Sequence, residues 1–272
     1  MKCLETGRIG HRGRVLLSLV SLLVLVAPGF ANHQATLHMK VGNPMTGVVR
    51  YIASSKSYEI KAGSVTRQVP AADVSRVVLA QPPAGLDQAV KAVNSGNFQA
   101  PIQTLTTIVK DYAMFGPDVV AGNALAKAYL GSGRPKEALK ACDDLIRVNP
   151  ESMQTAAFAG LYWDILLQDG TKGSALRSSL RDAVETGNRE LAAMALIRRG
   201  DLEMKDKKFK EALVDGYLRA ILLFQDVNMV QPEALYKAIK AHEALNEVQL
   251  AERWRKKLLS GYANSEFASK LK

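Results

Sequence analysis

Residues 119–152 read VVAGNALAKAYLGSGRPKEALKACDDLIRVNPES. Apolar and small residues recur at helical spacing on both sides of Gly131-Ser-Gly-Arg-Pro135, which predicts two helices joined by a tight turn. Two antiparallel helices that approach closely need small side chains where their backbones meet, and Ala126 and Ala138 supply them. Tyr129 fills the gap one turn away. Gly133 reads as the end of the first helix and Pro150 as the stop of the second, because glycine accepts a left-handed turn and proline cannot continue a helix.

Working outward, the period persists. Gly160 and Trp163 stand 34 residues after Ala126 and Tyr129, and Ala138, Ala175, Ala212 and Ala251 follow one another at 37, 37 and 39. Pro101, 37 before Ala138, is expected within the first turn of its helix, where amides lack partners. Gly200 to Ala212 repeats the turn-to-second-helix pattern through Lys208-Phe-Lys-Glu-Ala-Leu213. Asp169-Gly-Thr-Lys-Gly173 reads as an enlarged turn. Such self-similarity marks a stack of helix pairs.

Counted from Val119, Ala126, Tyr129, Gly133, Ala138 and Pro150 occupy the eighth, eleventh, fifteenth, twentieth and thirty-second positions, and there the chain resembles the tetratricopeptide repeat family of bacterial envelopes. The closing stretch from Leu258 to Phe267 resembles the junctions of such proteins. The likeness covers roughly residues 86–272; it departs from the family at Gly122, where the motif carries tryptophan, and in spacings above 34. It implies an α+β, mostly α protein: a right-handed superhelix of antiparallel helix pairs behind a small β unit.

The resemblance also implies a concave face lined by the first helix of each pair, with the fifth and ninth motif positions turned into it. These are Asn123 and Lys127, then Ala157 and Leu161, then Ile197 and Asp201; Asp164, Tyr236 and Lys240 extend the set. Asn123 with Lys127 resembles half of a carboxylate clamp, which Asp201 would oppose. The expected ligand is an extended or helical segment in a mixed polar and apolar groove. Ala126, Tyr129, Gly133, Ala138, Pro150, Gly160, Trp163, Gly200, Ala212 and Ala251 are assigned to packing between and within repeats.

Residues 32–80 follow a period of two instead. Ala35–Val41, Thr46–Ile52, Ser57–Ile60, Ser64–Val69 and Val74–Leu79 read as five short strands separated by turn residues, a pattern similar to small SH3-like or Sm-like barrels or a curled sheet. Lys40, Arg50, Lys56, Lys61, Arg67 and Arg76 face only Glu59 and Asp73 there, leaving this unit basic. It is expected either to bind or to cap the first helices. Gln81-Pro-Pro-Ala-Gly85 reads as a stiff linker.

Residues 1–31 have the order of a secretory signal: a basic start (Lys2, Arg8, Arg12, Arg14), a serine-broken apolar run from Val15 to Ala27, and Gly29-Phe-Ala31 before the cleavage point. A bilayer-spanning helix needs about 20 residues, so a cleaved signal is expected over an uncleaved anchor. Its removal takes away those four cations and Glu5, lowering the net charge from +10 to +7. Cys142 is then the only thiol, so no internal disulfide is expected, and it reads as a small core residue.

His33, His38 and His242 lack companions at metal-ligand spacing; neither a phosphate loop nor a nucleophile elbow occurs. Asp143-Asp144 reads as a solvated pair, and Trp163 and Trp254 as core. The expectation is a non-catalytic interaction scaffold of the cell envelope, in the periplasm or on a periplasmic membrane face, without cofactor or metal. Its partner is expected to be an envelope protein or peptide, not nucleic acid. The alternative partner is an anionic envelope polymer or lipid surface met by the basic unit. An enzyme with an unrecognised site is the remote third reading.

Overall fold

The computed structural model describes residues 31–186 and 188–271, so the expected signal segment lies almost wholly outside the described residues. The chain is mostly helical, with a five-stranded antiparallel sheet at its front. The strands are β1 (His33–Met39), β2 (Met45–Ile52), β3 (Ser57–Ala62), β4 (Val65–Pro70) and β5 (Val74–Leu79), ordered β4-β3-β2-β1-β5. Lys40 and Val41, read as the end of the first strand, lie in the loop that follows it. Period-two alternation puts Ala35, Leu37, Val49, Tyr51, Tyr58 and Ile60 on one buried face. A 3-10 turn, Ala71–Asp73, carries the chain from one sheet edge (β4) to the other (β5).

The helices are α1 (Leu86–Asn94), α2 (Ile102–Asp111), α3 (Pro117–Gly131), α4 (Pro135–Val148), α5 (Ala156–Asp169), α6 (Gly173–Glu185), α7 (Arg189–Lys205), α8 (Phe209–Glu211), α9 (Leu218–Leu223), α10 (Gln231–Ala244), α11 (Val248–Gly261) and α12 (Glu266–Ser269). A π-helical segment, Ala212–Tyr217, joins α8 to α9 without a break. Successive helices pack as hairpins: α1 with α2, α3 with α4, α5 with α6, α7 with the α8–α9 run, and α10 with α11. First helices also touch the next first helix, from α1 through α3, α5 and α7 to α10, and each second helix touches the following first one. Pro101 is the residue that caps α2, within the tolerance expected of it.

A left-handed residue ends every first helix: Gly96, Gly133, Gly170, Lys207 and Asn246, at spacings of 37, 37, 37 and 39. At four of these turns one hydrogen-bond pattern recurs. Arg134 N–H donates to Tyr129 O, and Asn97 to Ala92, Lys208 to Glu203 and Glu247 to His242 do the same, closing the helix end in a six-residue loop. The turns therefore set a register of 37 residues for the stack. The 34-residue alignment of Gly160 with Ala126 is displaced by three, because α5 is anchored by its own turn at Gly170.

Three buried clusters run in sequence along the helices, one around α1–α3, one from α3 to α7 and one from α7 to α12. Trp163, Ala126, Ala138, Ala212 and Ala251 are buried in them. Tyr129 is half-buried beneath the Arg134 guanidinium. Glycine permits the tightest approaches. A Cβ on Gly200 would lie 2.4 Å from the Tyr217 ring, and one on Gly216 would lie 2.6 Å from Gly200 Cα. The second contact is backbone against backbone, so neither helix can relieve it by turning a side chain. Gly216→Ala is expected to cost about 1–3 kcal/mol by forcing α7 and the π segment apart. An unchanged thermal midpoint would contradict this packing.

Candidate functional site

The front sheet is seated on the loop between α2 and α3. Phe115 from that loop enters the sheet's own core, edge-on to Tyr58 and to His33. Tyr58 Oη donates to Met114 O at 2.5 Å, and His33 stacks on Tyr112 with Nε2 2.8 Å from Asp111 O. Burial pushes the Tyr58 phenol above its ordinary pKa, which keeps it a donor. Asp118, fully buried in the first turn of α3, holds the loop. Its carboxylate accepts from Met114 N–H (2.9 Å), Gly116 N–H (3.0 Å) and Asn149 Nδ2 (2.8 Å). Met114 and Gly116 both have positive φ; glycine adopts it freely, whereas at Met114 it is strained and these bonds over-determine it. Burial nevertheless raises the Asp118 pKa. Pro83 of the expected linker is buried and Leu86 N–H donates to its carbonyl, so this stretch packs against its surroundings.

On the first helices, the turn register sorts the expected groove residues into two rows. Six residues before the left-handed turns of the last four hairpins stand Lys127, Asp164, Asp201 and Lys240, whereas Val90 holds that place in the first. Ten before stand Asn123, Gly160, Ile197 and Tyr236. Lys127 and Lys240 are exposed. Ile197, expected to face a groove, is fully buried in the core that joins α7 to α10, because its row turns inward where α7 meets its neighbours. Gly160 is likewise buried against Met194. Leu161 is half-buried on the α3–α7 core. Tyr236 is half-buried against the Phe267 ring of α12, with Lys240 Nζ 5.7 Å from its own ring. Asn123 is half-buried, and its Oδ1 is enclosed without a hydrogen-bond partner among the described residues.

Asp164 and Asp201 belong to a network that sequence reading missed. Arg198, only 9% exposed, donates through Nε to Asp164 Oδ1 and through Nη1 to Glu233 Oε1, each at 2.5 Å. Lys237 Nζ bridges Asp201 and Glu233, the latter at 2.8 Å. Tyr217 Oη donates to the other Asp201 oxygen at 2.8 Å. Burial alone would lower the Arg198 pKa, but Glu233, Asp164 and Asp201 outweigh it and hold the guanidinium charged. Lys237 and Arg198 likewise overcome burial to keep Glu233 below the usual carboxylate range. The network links α5, α7 and α10, one hairpin after another. Asp201 is thus neutralised within the protein and does not stand as a free acid on the expected groove.

The remaining candidates are structural. His242 Nδ1 lies 2.7 Å from Glu247 Oε2 while Trp254 Nε1 donates to His242 Nε2, so both ring nitrogens are engaged. Asp143 accepts from Tyr162 Oη and from Lys172 Nζ, and Asp144 pairs with Lys140 and Arg147. No group of three or more metal-ligating side chains occurs among the described residues. None of the described helices is long and apolar enough to cross a membrane. Cys142 is fully buried, and burial reinforced by Asp143 pushes its thiol up to about 12. Iodoacetamide at about pH 8 is therefore expected to leave Cys142 unlabelled until denaturant is added, as read by peptide mass spectrometry. Labelling in the native state would mean that the α4–α5 packing opens.

No family model matches the chain, and neither a curated protein nor a solved structure matches it.

Proposed function

We propose that this chain is a non-catalytic interaction scaffold of the cell envelope, exported by its N-terminal signal and built as a tetratricopeptide-like superhelix. The observation that carries this reading is the row Lys127, Asp164, Asp201 and Lys240, repeated at one offset from the turn of four successive hairpins. Repetition of this kind presents one surface over many residues, which suits an extended protein segment better than a small substrate. Asp164 and Asp201 are committed to Arg198 and Lys237, and Lys240 Nζ to Glu243, so partner contact falls to the near end of the row, at Asn123 with Lys127. A photo-cross-linker at position 127 is expected to capture one reproducible partner protein from native envelopes. Asn123→Ala combined with Lys127→Glu is expected to lower the yield by about tenfold, the loss of one charged hydrogen bond. Recovery of no reproducible partner would sink the proposal.

The barrel reading of the front sheet belongs to the same proposal. Five flat strands at about 4.8 Å would set their edges roughly 19 Å apart. The link from Pro70 to Val74 reaches at most about 14 Å, which favours a strongly curled sheet that stays unpaired between β4 and β5.

A second reading, attachment to an anionic polymer or lipid surface, draws on the basic sheet. Arg50 pairs with Glu59 at 2.8 Å, whereas Lys40, Lys56, Lys61, Arg67 and Arg76 make no ion pair among the described residues. Deleting the sheet is a poor test, since it would bare Phe115 and Tyr112. Lys61→Glu with Arg67→Glu keeps the fold and is expected to abolish sedimentation with anionic vesicles or peptidoglycan if this reading holds. Undiminished sedimentation would exclude it.

A further inference from the structure

A cleft of about 270 Å³ lies where the sheet meets the helices. Val74, Ser75, Arg76 and Val77 of β5 form one wall, and Gly116, Val119, Asn149 and Glu151 form the other. Tyr58, Met114 and Phe115 also line it. It is separate from the first-helix rows described above.

Three features of this cleft point to one kind of occupant. First, among the described residues β5 is an edge strand, paired only with β1, so its outer backbone groups have no ladder partner there. Second, Val74 and Arg76 oppose Met39 and His38, which leaves Ser75 as an extra, bulged residue. The bulge breaks the alternation of β5, so that Ser75 and Arg76 are both exposed, and Ser75 Oγ donates to His38 O at 2.9 Å. A bulge of this kind re-aims a side chain, here the Arg76 guanidinium, which has no counter-ion among the described residues. Third, Asn149, which also lines the cleft, is 6% exposed and gives its Nδ2 to Asp118, while its enclosed Oδ1 has no partner among the described residues.

An unpaired strand edge selects an extended main chain over a helix or a lipid. The unpaired Arg76 selects a carboxylate. Glu151, across the cleft, selects against a second acid beside it. We propose that the cleft binds an extended peptide segment of a partner protein, added as a sixth strand along β5, with an acidic side chain of the peptide paired to Arg76. This makes the sheet a second recognition site and not only a cap on the repeats. It does not depend on the first-helix face being a binding surface.

The test uses the full-length protein and a displayed library of random peptides about twelve residues long, enough to span the strand with flanks. The selected peptide is expected to contain an acidic residue and to slow amide exchange of Val74–Leu79. Arg76→Glu, a surface change that spares the core, is expected to weaken binding by about tenfold, the effect of one charge-assisted hydrogen bond. Replacing the acidic residue of the peptide by lysine is expected to restore binding to Arg76→Glu but not to the parent protein. Failure to select any peptide overturns the proposal. So does a peptide whose footprint lies on α3, α5 or α7, or one that is indifferent to Arg76→Glu. A dimer in which β5 is already protected by a second copy overturns it as well.

Discussion

Arg198→Met is expected to lower the free energy of unfolding by about 2–3 kcal/mol, less than the cost of stranding a fully buried charge because the carboxylates keep part of their exposure to water. The guanidinium lies between Asp164 and Glu233, with Asp201 Oδ2 at 3.7 Å from Nη1. Three acids then share two cations, Arg198 and Lys237. Without Arg198, Lys237 faces all three. The loss arises from stranded carboxylates more than from missing attraction, so neutralising them should repair it. Asp164→Asn and Glu233→Gln, added to Arg198→Met, are expected to recover most of the stability. Urea denaturation followed by circular dichroism measures both. Because the network ties α5, α7 and α10 across successive hairpins, the single variant is also expected to unfold less cooperatively, with a smaller dependence on urea. A loss below about 1 kcal/mol would place these charges in effective contact with water.

The second large effect concerns the seat of the sheet. Phe115→Ala is expected to cost about 3–5 kcal/mol, as removal of a buried ring does. The damage should be local as well as global, because Phe115 is the fully buried ring that the helical part gives to the core of the sheet, with Tyr112 and Met114 packed beside it. Proteolysis at residues 81–85 is expected to accelerate before the helices unfold. Tyr58→Phe is the milder companion. It removes the hydrogen bond to Met114 O and keeps the ring, so about 1 kcal/mol is expected. If Phe115→Ala leaves residues 81–85 as resistant as before, the sheet is held by something other than this ring.

Some of this was open to sequence reading. The five strands announce themselves by alternation and turn residues, and the hairpin of residues 119–152 by Gly133 and Pro150. Other parts were hidden for identifiable reasons. The turn register uses glycine at Gly96, Gly133 and Gly170, but Lys207 and Asn246 adopt the same left-handed conformation, and neither advertises it. The π segment at Ala212–Tyr217 lies where Gly200 and Gly216 let two backbones touch, and a lone glycine in a helical pattern does not announce its neighbour. Ile197 was misplaced because the motif offset names a helix face without saying which neighbour covers it.

The network around Arg198 shows the division most clearly. Its links from one first helix to the next span 34 to 36 residues, and each charged member reads locally as an ordinary position on a helix. The cleft beside β5 is similar: Arg76 and Asn149 are 73 positions apart in the chain, and only the docking of the sheet on Phe115 sets them on facing walls. The amino-acid sequence by itself determined the elements, their period and the order of strands before helices, since propensity, turn chemistry and apolar spacing act over a few residues. The tertiary structure alone decided which charges are buried together, which strand edge remains open and which row of side chains faces outward. Those outcomes depend on distances between residues that the chain keeps far apart, and only the packing of one hairpin on the next makes them short.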